Sequence, residues 1–333
     1  MHDLNLSKSH LDSCPNPNWH YDEAVKLYVA GINGMVGSAI ALEARSHDYE
    51  VLGKPSKELD FTNRTEVFQE LNRVKPDSLI IAAAKVGGIG ANSTLPVDFL
   101  SRNLQIQTNV IDGAHNAGVE RVLFLGSSCI YPRLAPQPIK ESALLTGELE
   151  PTNEAYAISK IAGLKLIEAY RVQFGRRWIS AMPTNLYGPR DNFNLETAHV
   201  LPALIHRFHN AKIANESEVM IWGDGRPLRE FLHVEDLARA SLMLLNSYDD
   251  SIAINIGSGE EISISKLAEL VSKIVGFTGT VTFNTERPNG TPQKLLDSAK
   301  ILELGWKPKI NLEDGIGLTY DWFLKHQSKE KIS

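Results

Sequence analysis

Leu27-Tyr28-Val29-Ala30-Gly31-Ile32-Asn33-Gly34-Met35-Val36-Gly37 is the stretch on which the reading of this chain turns. An apolar run ends at Gly31, two further glycines follow at three-residue spacing, and Met35 to Glu43 then reads as a helix. A strand, a tight turn and a helix start in that order make a dinucleotide cradle. Glycine backbone can approach a pyrophosphate closely, and the unpaired N–H groups of the helix start meet its charge. A purely structural turn is the competing reading, so the flanking chain has to decide.

Outward from this turn, apolar runs recur at 26–30, 49–53, 78–84, 121–126 and 178–183, separated by amphipathic stretches such as Pro96 to Asn116 and Tyr156 to Phe174. Strand and helix signals alternating in this way predict an α/β fold with a doubly wound parallel sheet. After Gly188 the rhythm changes. Val200 to Asn210 and Ser263 to Val275 read as helices, and Val219 to Trp222 and Glu230 to Val234 as short strands. Residues 1–24 form a polar arm with two prolines and three histidines before Glu23, and they lack the apolar core of a secretory signal.

Composition narrows the class. The 333 residues are 43% hydrophobic and 22% charged, which suits a globule of one large domain or a core plus a smaller lobe. A net charge of −6 without a long basic block argues against nucleic acid as the partner. No apolar run approaches the ~18 residues of a membrane span. The only cysteines, Cys14 and Cys129, make a disulfide framework unexpected and fit a cytoplasmic setting. No metal ligands are assigned.

Tyr156 and Lys160 form a Tyr-x-x-x-Lys pair downstream of Ser127. Residues four apart share a helix face, so Lys160 stands one turn beyond Tyr156. A neighbouring ammonium should lower the phenol's pKa from about 10 and let it exchange a proton near neutrality. Ser127 ends the run Val122-Leu123-Phe124-Leu125-Gly126, at the strand edge where such sheets bind ligands, and its hydroxyl could hold a carbonyl oxygen.

With the glycine turn, Ser127 and this pair in order, the chain resembles the extended short-chain dehydrogenase/reductase family, and within it the branch of GDP-sugar 3,5-epimerase/4-reductases. The narrower resemblance rests on Ala82–Ile89, Leu125–Pro132, Glu150–Asn153, Met182–Pro189, Arg229–Val234 and Gly290–Pro292, colinear from about Lys26 onward. It implies a Rossmann-type domain mainly over 25–188 and a smaller substrate lobe mainly over 189–333, with some segments returning to the first domain. It further implies NADPH-dependent epimerisation at C3 and C5 of GDP-4-dehydro-6-deoxy-D-mannose, then reduction at C4. The alternatives are another nucleotide-sugar 4-epimerase or 4-ketosugar reductase, or a non-catalytic dinucleotide-binding protein.

The resemblance also assigns residues. Tyr156, Lys160 and Ser127 serve the ketone, while Cys129 is the base and His199 the acid of epimerisation. A thiol and an imidazole both ionise close enough to neutrality for these roles. Cofactor contacts fall on Gly31, Ile32, Asn33, Gly34, Met35, Val36 and Gly37, on Leu125, Gly126, Ser128 and Lys160, and on Pro183, Thr184, Asn185, Leu186 and His199. After the second strand come Lys54, Ser56 and Lys57, with no acid before Glu58, so a 2′-phosphate is favoured and the cofactor is expected to be NADPH. The family's usual basic residue between the first two glycines is replaced here by Ile32-Asn33. Arg207, Trp222, Arg229, Lys294 and Asn289 would bind the GDP-sugar, Asn289 standing where the family has an aspartate. Pairing of the apolar Pro96–Asn116 and Tyr156–Phe174 stretches with a second copy is expected to give a C2 homodimer.

Overall fold

The structure, a computed structural model, describes residues 24–286 and 290–330; the polar arm and Asn289 lie outside the described residues. The first half of the chain runs β1 (Lys26–Ala30), α1 (Met35–Arg45), β2 (Glu50–Leu52), α2 (Arg64–Val74), β3 (Ser78–Ile81), α3 (Ile89–Thr94), α4 (Asn103–Asn116), β4 (Arg121–Leu125), α5 (Glu154–Phe174), β5 (Ile179–Pro183) and β6 (Asn185–Tyr187). The second half runs α6 (Val200–Ala214), β7 (Glu218–Trp222), β8 (Leu228–His233), α7 (Val234–Ser247), β9 (Ile254–Ile256), β10 (Glu261–Ser263), α8 (Ile264–Val275), β11 (Thr280–Asn284), β12 (Gln293–Lys294), α9 (Ala299–Glu303) and α10 (Leu312–Glu330).

Among the described residues, six strands form one parallel sheet in the order β2-β1-β3-β4-β5-β9. Helices cover both faces, so β1, β3 and β4 are buried and read as unbroken apolar runs. One face packs Tyr28, Ile81, Phe124, Val110, Leu164 and Trp178; the other packs Val29, Leu123, Ile40, Ile179 and Leu237. Strand order reverses at β1, which lies between β2 and β3, and the crevice beyond the carboxyl ends of these strands is where such a sheet takes its ligand. A second sheet carries β10, β8 and β12, with β6 also paired to β8, and β7 pairs with β11. Around them α6, α8 and α10 close a separate core that includes Phe208, Leu267 and Ile316.

Pro96 to Asn116 is one continuous helix, set off from α3, which stops before Leu95-Pro96, and it carries a π-helical turn, Asp98–Arg102, ahead of α4. Proline cannot continue the helical hydrogen bonding, and the Asn103 side chain then bonds the Phe99 carbonyl at 2.7 Å, so that carbonyl is not left unpaired. Several apolar residues of α4 and α5 that seemed available for pairing between copies are core instead. Phe99, Val110, Ile111, Leu164 and Ile167 are at most 1% exposed, whereas Leu100, Leu104 and Ile161 are half-buried and Ile158 is exposed. In the C-terminal half, β9 returns as the sixth strand of the main sheet and α7 packs beside α1. The three-residue Ile254-Asn255-Ile256 run was too short to read as a strand; its buried Asn255 is held by the Tyr131 hydroxyl at 2.6 Å and the Ile139 carbonyl at 2.9 Å.

At the first turn, Gly31 has φ +90°, and a Cβ on Gly37 would lie 2.1 Å from the Gly31 carbonyl oxygen. Gly37→Ala should therefore lower stability by about 1–3 kcal/mol, the range for overpacking, in urea unfolding. Gly317→Ala, in α10 with open space around its Cβ position, should be neutral or mildly stabilising.

Candidate active site

At the start of α1, Gly34 occupies the N-cap position, no side chain caps the helix, and its first turn carries no acidic residue. Asn33 and Gly34 are exposed, while Ile32, Met35 and Val36 are half-buried. A Cβ at Gly34 would meet only the Gly31 oxygen, at 3.4 Å, so the approach to the helix start is open. Amide N–H groups with no competing acceptor and a clear approach suit a pyrophosphate. Beyond β2 the cations divide. Lys54 Nζ lies 3.1 Å from the buried Glu70 carboxylate, whereas Ser56 and Lys57 are exposed.

Chain direction changes sharply after β4. Gly126 is needed there because a Cβ would lie 2.4 Å from the Met182 sulfur, and its N–H donates to the Ala181 carbonyl at 2.9 Å. Ser127 caps the short 3-10 turn Ser128–Ile130, accepting from the Cys129 N–H at 3.2 Å. Its hydroxyl also bonds the Tyr156 phenol. Lys160 is buried and donates from Nζ to the Leu125 carbonyl at 2.9 Å. The expected depression of the phenol's pKa is not what this geometry produces. Loss of water, followed by negative charge at Cys129, holds Tyr156 well above the ordinary tyrosine range. Lys160 Nζ is 5.9 Å from the phenol ring centroid, and burial pulls its own pKa down from 10.5 to about 8. The phenol is thus a proton donor throughout the neutral range.

Cys129 is a free thiol at the same strand end. Asn153 Nδ2 lies 3.3 Å and Lys294 Nζ 3.7 Å from its sulfur. The half-buried Arg229 guanidinium also feels charge at Cys129. Lys294 reaches the sulfur because β12 pairs with β8, which sets it beside Arg229. His199 stands exposed along the cleft at the N-cap position of α6. Desolvation by the surrounding walls, and then the Lys294 ammonium, hold its imidazole below the ordinary histidine range. The loop leading to His199 is tied to the one after β3: Gly88 N–H donates to the Thr197 carbonyl at 2.8 Å, and a Cβ on Gly88 would collide with the Ala198 oxygen.

Ser127, Cys129, Tyr156, Lys160, Lys294 and Arg229 therefore share one cleft, with charge coupling linking His199 to Lys294. Leu125, Gly126 and Ser128 line the strand end as buried backbone. Thr184 and Asn185 follow Pro183 and both donate to the Glu230 carbonyl, at 3.3 and 2.7 Å, with Leu186 half-buried beside them. Further out, the Arg207 guanidinium sits 5.6 Å over the Trp222 ring, which is 53% exposed, and forms a platform at the lobe edge. Three site residues escaped sequence reasoning. Asn153 faces the sulfur, and the Glu150 carboxylate accepts from Thr152 at 3.1 Å and Thr291 at 3.4 Å. The fully buried Glu230 carboxylate accepts from the Gly259 and Leu296 N–H groups at 2.8 and 3.1 Å. All three lie within the Glu150–Asn153 and Arg229–Val234 motifs, but no role was legible there because Cys129, Thr291, Gly259 and Leu296 lie on segments distant in sequence.

Residues 27–257 match the NAD dependent epimerase/dehydratase family. The chain is 56% identical to GDP-L-fucose synthase 1 of Arabidopsis thaliana over 92% of its length and 95% of that protein. It is 48% identical to the GDP-L-fucose synthase of Escherichia coli over 91% of its length and 98% of that protein. Among solved structures, a GDP-L-fucose synthetase from Naegleria fowleri bound to NADP superposes with a TM-score of 0.85 at 28% identity, covering 95% of this chain and 98% of the other. With the parallel sheet, the glycine turn and the serine–tyrosine–lysine cluster in place, the chain belongs to the NAD dependent epimerase/dehydratase family, the extended short-chain dehydrogenase/reductases, and groups within it among the GDP-L-fucose synthases.

Proposed function

We propose that this chain epimerises C3 and C5 of GDP-4-dehydro-6-deoxy-D-mannose and then reduces the C4 ketone with NADPH, giving GDP-L-fucose. The observation that carries this reading is the Cys129 sulfur, 3.7 Å from the Lys294 ammonium in the cleft that holds Ser127 and Tyr156. Reduction or 4-epimerisation alone needs no thiol there. The names of the relatives point to the same activity.

The residues fit a phosphorylated dinucleotide: the helix start at Gly34 to Gly37 would take the pyrophosphate, and Ser56 with Lys57 a 2′-phosphate, Lys54 being engaged by Glu70. When bound, the reduced dinucleotide supplies the hydride. Cys129 removes the proton beside the ketone, and the resulting enolate oxygen is held by the hydroxyls of Ser127 and Tyr156. His199 returns a proton to complete the inversion. Because burial and charge at Cys129 both favour the neutral phenol, Tyr156 is protonated when C4 is reduced and gives that proton to the new alkoxide. Arg207, Trp222 and Arg229 hold the GDP portion, guanidinium forks suiting phosphate.

The enzyme is proposed to act in the cytoplasm as a C2 homodimer. Among the described residues no helix is long and apolar enough to cross a membrane. Ile158, 43% exposed on α5, together with half-buried Leu100, Leu104 and Ile161, supplies apolar surface for pairing.

Three outcomes test these statements. Wild type given NADPH and the GDP-4-keto sugar in deuterated water should label C3 and C5 and form GDP-L-fucose. Cys129→Ser should slow that labelling by about 10²-fold or more while still binding NADPH; labelling at the wild-type rate would remove Cys129 as the base.

Lys160→Met tests the buried ammonium. The unfolded chain binds that proton more tightly than the folded one between about pH 8 and 10.5, so wild-type stability gains from this group as pH rises through the window. The variant should lose most reductase activity, exceed wild type in stability at pH 7, and lose that advantage by pH 10.5 in urea titrations.

Light scattering should find a dimer for wild type and a monomer for Ile158→Glu; a wild-type monomer at assay concentration sinks the assembly.

A further inference from the structure

We infer that Asn153 and Lys294 form a two-donor cradle that holds the Cys129 sulfur in its charged form and aims it into the cleft. The inference rests on the reading of Cys129 as the base, and it gives Asn153 the part of a positioning residue.

Asn153 breaks two local rules at once. It occupies the N-cap position of α5, where an asparagine side chain ordinarily accepts from the helix's own N–H groups, yet it makes no cap bond. Its Nδ2 instead lies 3.3 Å from the Cys129 sulfur, and its Oδ1 is buried with no partner. An unused cap forgoes about 1 kcal/mol and an orphaned buried acceptor costs about 1–3 kcal/mol. Stability alone would not keep this arrangement, and functional sites are where such violations belong.

The second donor arrives from the far end of the chain. Lys294 Nζ lies 3.7 Å from the same sulfur, so an amide and an ammonium converge on one atom. Two donors without a protein acceptor suit a thiolate rather than a thiol, since only the anion is purely an acceptor. Glu150 joins the two supports. One carboxylate oxygen accepts from Thr152, next to Asn153, and the other from Thr291, three residues before Lys294. Arg133 pairs with that carboxylate at 3.2 Å. One carboxylate therefore supports the segments that carry both donors.

The test is the rate at which iodoacetamide alkylates Cys129 in the free protein at pH 7, followed on the Cys129 peptide by mass spectrometry so that Cys14 does not interfere. Asn153→Asp, which sets a carboxylate against the sulfur, and Lys294→Met should each slow the reaction about ten-fold. Lys294→Arg should restore most of the rate, which a merely structural role would not require. NADPH binding and the thermal midpoint report folding, and Asn153→Ala carries the test if Asn153→Asp does not fold. A folded variant at either position that alkylates at the wild-type rate overturns the cradle. Wild type that alkylates rapidly but turns over no GDP-4-keto sugar would leave the cradle standing and remove the proposed activity.

Discussion

The close approach of α5 to the end of β4 is the constraint on which the site depends. Gly163 permits it, because a Cβ there would lie 2.4 Å from the Phe124 ring and 2.8 Å from the Gln107 amide oxygen. Three contacts follow in antiparallel order along the seam: Lys160 with the Leu125 carbonyl, Tyr156 with Ser127, and Asn153 with Cys129. The chain leaving β4 through the Ser128–Ile130 turn thus meets side chains from the start of α5 and from Asn153 just before it.

That seam lies against the six-stranded sheet, whereas Arg229 and Lys294 come from the second sheet. Buried carboxylates join that second sheet to the rest of the chain. Glu230 lies within 3.1 Å of N–H groups on the chain after β9 and on the chain after β12. Asp236, fully buried, accepts from the Lys309 and Ile310 N–H groups at 2.7 and 3.0 Å and from Arg239. Such groups are costly to bury unless satisfied, and here several donors meet each one. They fix where β8 and β12 run, and therefore where Arg229 and Lys294 face Cys129.

Electrostatics in the cleft are reciprocal. Negative charge at Cys129 helps keep the Tyr156 phenol protonated and opposes the loss of charge that burial imposes on Lys160. Cys129 and Tyr156 therefore cannot both carry a negative charge without cost, and the buried ammonium of Lys160 is a cation that answers the charge of either.

Much of this molecule was legible as a string of residues. The parallel sheet followed from unbroken apolar runs, which arise because strands covered on both faces have no solvated side to mark with polar residues. The glycine turn and the Tyr156/Lys160 spacing were legible because each is a local device in which neighbours in sequence are neighbours in space. Folding decided the rest. The sequence predicted that Lys160 would acidify Tyr156; burial reversed the sign, and desolvation is a property of the packed chain rather than of spacing. Lys54 appeared as a free cation until α2 brought Glu70 to it. Asn153 and Lys294 are 141 positions apart, and only the pairing of β12 with β8 carries the second to the sulfur that the first already faces.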